Sequence, residues 1–73
     1  MAKLRKRWST TTIPGATRRY HESKAEAYRY VTNDRANWQA GALRSPIVRV
    51  WVDDRDGTGW HLYERVNFAE EVS

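Results

Sequence analysis

The sequence predicts a small α+β domain of ββαββ type, an antiparallel sheet of about four strands with one helix packed on one face. Three observations predict it. "SPIVRVWVDDRDGTGWHLYERV", residues 45–66, alternates apolar and polar residues on both sides of a turn, the pattern of a half-buried hairpin. "SKAE" at 23–26 is a capping box followed by apolar residues at helical spacing. "IPGA" at 13–16 separates two further strand-like stretches with a tight-turn signature.

The first strand is expected from about Arg5 to Ile13, rich in Thr with one Trp. Pro14 and Gly15 then occupy the second and third positions of a type II turn, where the third residue needs a positive φ that glycine tolerates. The return strand covers Thr17 to Glu22. Ser23 caps the helix by accepting a first-turn amide, and Glu26 reaches back to close the box. Ala27, Val31 and Trp38 share one helix face, flanked by Tyr28 and Tyr30. Asp34 falls in the middle of that face. It reads as the cap of a second helical segment after a break at Thr32-Asn33, with a buried acid as the rarer alternative. Gly41 ends the helix, and Ser45-Pro46 launches the third strand.

Arg55-Asp56-Gly57 suits a three-residue hairpin loop with Gly57 left-handed. That loop would pair Val52 with Trp60, Val50 with Leu62 and Val48 with Glu64 on the core side. The other side would then carry Arg49, Trp51, His61, Tyr63 and Arg65.

The 73 residues allow one domain, near the lower limit for a core that holds unaided. Four Trp, four Tyr and one Phe must supply much of the burial. No Cys is present, so no disulfide or thiolate metal site is expected, which fits a reducing cytoplasm. No apolar run approaches the roughly 18 residues of a membrane span, and no signal-peptide core follows the basic start. The formal charge of +4 is uneven: Lys3, Arg5, Lys6 and Arg7 account for it, and from Trp8 onward nine basic residues meet nine acidic ones. Residues 1–7 thus form a basic arm, and residues 69–73 an acidic tail with Glu70 and Glu71.

A basic arm beside an aromatic and cationic sheet face is chemistry suited to nucleic acid. Rings stack on bases while guanidinium groups meet phosphates. The expected binding residues are Lys3, Arg5, Lys6, Arg7, Arg49, Trp51, His61, Tyr63 and Arg65, with Trp8, Arg18 and Tyr20 as an extension if the first hairpin joins the sheet. The same residue types anchor protein interfaces, including a homodimer, and also stabilise an ordinary exposed sheet by mutual packing. The run Asp53-Asp54-Arg55-Asp56-Gly57 is not a calcium loop. The first ligand position would fall on Val52 and the closing carboxylate on Tyr63. His21 and His61 are the only imidazoles, and no spacing makes them converge with a carboxylate on a substrate. No glycine-rich phosphate loop or Ser-centred nucleophile motif is present, so neither an enzyme nor a cofactor is expected.

"YHESKAEAYRYV" resembles the strand-to-helix passage of small sheet-plus-helix modules such as the arm-binding domains of phage integrases, which place the helix after three strands. Over residues 17–68, with "SPIVRVWVDD" and "GWHLYERV", the chain resembles small orphan proteins of actinobacterial phages. That resemblance implies a cytoplasmic, host-directed binder of protein or DNA. The expectation is therefore a non-enzymatic binding module for nucleic acid, DNA before RNA, or an effector that binds a host protein through the same face.

Overall fold

The computed structural model describes residues 6–12 and 18–71. β1 (Arg7–Thr11) and β2 (Arg19–His21) are followed by α1 (Lys24–Gln39), β3 (Ile47–Asp53) and β4 (Trp60–Asn67). The four strands form one antiparallel sheet in the order β2-β1-β3-β4. The first hairpin therefore joins the same sheet, through pairing of Trp8 with Val52 and Thr10 with Val50. The expected type II turn and the start of the return strand lie outside the described residues.

The helix begins where its capping residue requires. Ser23 Oγ accepts the Glu26 amide at 3.1 Å. Glu26 does not close the box; its carboxylate lies 3.7 Å from His21 Nδ1. At the other end Gly41, at φ 77°, donates to the Trp38 carbonyl, and Ala42 donates to Asn37. This is a Schellman stop, which needs the left-handed residue that glycine supplies. Between the caps the helix is unbroken, so the expected break at Thr32-Asn33 is absent. Asp34 is instead a buried acid, held by Arg19 of β2 in a two-pronged ion pair at 2.6 and 3.2 Å. Satisfaction of the carboxylate by a strand of the sheet removes the need for a local cap.

Alternation places Val48, Val50 and Val52 of β3 under the helix with Trp8 of β1. They close the core with Ala27, Val31 and Phe68, edged by Tyr28, Trp38, Leu43 and Val66. Trp8 is 8% exposed, so it belongs to this core rather than to the outer face it was expected to extend. Phe68 follows β4 and is fixed by its amide, which donates to the Pro46 carbonyl at 2.8 Å. Among the described residues no helix is long and apolar enough to cross a membrane.

The second hairpin departs from the expected register. Its loop spans residues 54–59, twice the expected length, with positive φ at Arg55, Gly57 and Gly59. Asp53 Oδ1 accepts the Arg55 amide and Asp56 Oδ1 accepts the Thr58 amide, so both acids build turns. Val52 consequently faces His61, Trp51 faces Leu62 and Asp53 faces Trp60. A one-residue slip exchanges the two faces of a strand. A register shift between Val50 and Trp51 then inserts Tyr63 as an extra residue, and Val50 pairs with Glu64. Beyond this bulge the expected faces return, with Glu64 on the helix side and Arg65 outside.

Candidate functional site

The face of the sheet away from α1 is built from all four strands. β1 supplies Arg7, Ser9 and Thr11; β2 supplies Tyr20; β3 supplies Arg49, Trp51 and Asp53; β4 supplies Trp60, Leu62 and Arg65. At its centre Ser9 is fully buried, opposite Tyr20 on one side and Trp51 on the other. Because serine is small, rings from the two edge strands meet above it. Tyr20 and Trp60 come within 6.0 Å, centroid to centroid, tilted by 47°.

Guanidinium groups join these rings. Arg7 lies 5.5 Å from the Tyr20 ring and 5.3 Å from Trp60, while Arg18 lies 5.0 Å from Trp51 and 5.1 Å from Trp60. Arg18 also donates to Ser9 Oγ at 3.0 Å, and Trp51 Nε1 donates to Thr11 Oγ1 at 3.1 Å. The result is an ordered platform of three rings and two cations.

Its electrostatics differ from those of the helix side. There, Arg19 is neutralised by Asp34 and Arg35 by Glu71, and Tyr28 donates to Glu64. Burial, with the Glu64 carboxylate beside it, pushes the Tyr28 hydroxyl far above its ordinary value. On the open face Arg7, Arg18, Arg49 and Arg65 stand against the single acid Asp53. None of the four takes part in an ion pair among the described residues. Where β1 begins, Lys6, Arg7, His21, Glu22 and Arg55 line a shallow notch of about 380 Å³ that extends the basic surface.

Of the expected binding residues, Arg49, Trp51 and Arg65 share the open face, and Arg7 joins them. Lys6 is exposed and 3.6 Å from Asp54; Lys3 and Arg5 lie outside the described residues. His61 and Tyr63 do not belong to this face, because the register carries both to the helix side. Tyr63 packs edge-on against Trp8 at 5.0 Å, with the Lys24 ammonium 4.9 Å from its ring. His61 Nε2 meets Thr58 Oγ1 at 2.6 Å, and the Thr58 hydroxyl donates to Asp56. These bonds brace the loop and hold the Asp56 carboxyl below its usual range. Trp60 and Leu62, expected in the core, are the residues brought outward in their place. Leu62 is half exposed.

The other imidazole, His21, is buried, with Nε2 hydrogen-bonded to Thr10 Oγ1 at 2.9 Å and its ring 4.5 Å from that of Tyr30. Burial lowers its pKa below the ordinary histidine value, Arg19 adds to that, and Glu26 and Asp34 oppose it. It is a structural group. No protein-family model, curated protein or solved structure matches this chain significantly.

Proposed function

We propose that this domain is a non-enzymatic binding module that holds single-stranded nucleic acid, DNA before RNA, on the open face of its sheet. The observation that carries this reading is the separation of charge. On the helix side Arg19 and Arg35 are paired with Asp34 and Glu71, whereas Arg7, Arg18, Arg49 and Arg65 on the open face take part in no ion pair among the described residues, and Arg7 and Arg18 rest against rings. Stacking on Trp51 and Trp60 contributes about 1–3 kcal/mol per base. Arg7, Arg18, Arg49 and Arg65 meet the phosphates, and the basic arm extends the path. In this reading the chain is a phage accessory protein at work in the host cytoplasm.

The second reading, an effector that binds a host protein through the same face, rests on Leu62. A half-exposed apolar side chain beside Trp51 offers nothing to a phosphate. Salt separates the two. A labelled single strand titrated with the protein should lose affinity steeply between low and moderate salt, with a log–log slope near −0.7 per phosphate neutralised, roughly −3 for four contacts. Trp51→Ala should abolish binding and leave the circular dichroism spectrum unchanged. No binding at low salt, or a flat salt response, excludes the nucleic-acid reading and leaves the apolar interface.

A further inference from the structure

The geometry points to β4 as a seam between two copies of this chain, independently of what the open face binds. The two edges of the sheet are unlike. β2 has three residues, and a short edge is an ordinary protection against unwanted pairing. β4 has eight and is the longest strand, yet it too is an edge. The helix backbone lies over β1, β2 and β3, and it reaches β4 only through the Lys24 and Tyr28 side chains, at Tyr63 and Glu64. Five consecutive residues, His61 to Arg65, are exposed, among them Leu62 and Tyr63. A long ladder of outward backbone groups with side chains open on both faces is a template for another strand.

The bulge decides which strand fits. Trp60, Leu62, Arg65 and Asn67 point to the open face; His61, Tyr63, Glu64 and Val66 point to the helix side. Because the extra residue sits at the middle of β4, this order of faces reads identically from either end. A second copy related by a two-fold axis can therefore lie antiparallel with every residue opposite one of its own face. Trp60 then meets Asn67, His61 meets Val66, Leu62 meets Arg65 and Tyr63 meets Glu64, each pair occurring twice. A slip of one residue sets outer side chains against inner ones, and a longer slip shortens the overlap.

The side chains agree with this register. No like charges stand directly opposite. The apolar Leu62 is covered by the aliphatic stem of the second copy's Arg65. Lys24, over the Tyr63 ring at 4.9 Å, is brought toward the second copy's Glu64. The product is an eight-stranded sheet with both helices on one side and two ring-and-guanidinium platforms joined on the other.

The test is the mass of the full chain in solution by sedimentation equilibrium over a broad concentration range. The expected result is a reversible species of twice 8.6 kDa. Leu62→Arg places two like-charged pairs in the seam and should raise the dimer dissociation constant on the order of tenfold or more. Leu62→Glu places two opposite-charged pairs there and should retain the dimer, and Leu62→Arg combined with Arg65→Glu should restore it. Position 62 is half exposed, so circular dichroism should show all three variants folded. A monomer at every concentration overturns the inference. So does equal weakening by Leu62→Arg and Leu62→Glu, which would place the contact elsewhere.

Discussion

Asp34 shows how a single residue is settled by its surroundings. Its side chain is 5% exposed and that of Arg19 is 30% exposed, so the two partners of one ion pair stand in different dielectric settings. Removing either leaves the other uncompensated, and the buried partner suffers more. Arg19→Ala should therefore cost about 2–3 kcal/mol, and Asp34→Ala less, since a part-exposed guanidinium keeps its water. Urea unfolding of the two variants checks the order. His21 carries a pH dependence of known sign. Its folded pKa lies below the ordinary 6.5, so above that value both folded and unfolded chains hold it neutral and its full contribution is present. As pH falls below it the unfolded chain binds the proton first, and stability is lost down through the lowered folded pKa. Thermal midpoints should fall as the pH is lowered past 6.5, and His21→Gln should flatten that part of the slope.

Elements, by contrast, were legible from local text, because each carries its own start and stop chemistry. The Ser23 cap and the Gly41 stop are short-range hydrogen-bond devices, and the structure uses both. The alternation of β3 assigned Val48, Val50 and Val52 to the core correctly for the same reason. What misled was the loop before β4. "DDRDGTG" contains a good three-residue turn and also a longer one, and the longer one wins because Gly59 at φ 83° continues the turn where a strand residue was expected. A Cβ at Gly59 would meet nothing within 4 Å, so its substitution tests the backbone alone. Gly59→Ala should cost about 1–2 kcal/mol through the left-handed conformation. Gly59→Asn, which tolerates that region better, should cost less; thermal melts of both variants decide.

At the scale of the whole molecule, one face is sealed by the helix and the other is tiled by rings and guanidinium groups. Tryptophans in the two layers should respond differently to truncation. Trp8→Ala removes a core ring and should cost about 3–5 kcal/mol. Trp60→Ala, which takes a half-buried ring from the open face, should cost markedly less and weaken ligand binding instead. Denaturant unfolding set beside strand titration of both variants separates the layers. The platform itself was only partly visible in the text. Arg49, Trp51 and Arg65 were found by alternation along a strand, and Tyr20 and Arg18 were foreseen as neighbours if the hairpins joined. Trp60 and Leu62 were assigned to the wrong layer because their positions depend on a loop length and a bulge, which are properties of two strands together.

By itself the sequence determined the ββαββ order, the helix with its caps, the inward valines and the outward Trp51. All of these follow from interactions within a few residues or from strict alternation. The tertiary structure decided the joining of the hairpins through β1 and β3, the burial of Asp34 against Arg19 and the face taken by each residue of β4. Each of those is a long-range pairing, and a one-residue change in register reverses its outcome while leaving every local preference satisfied.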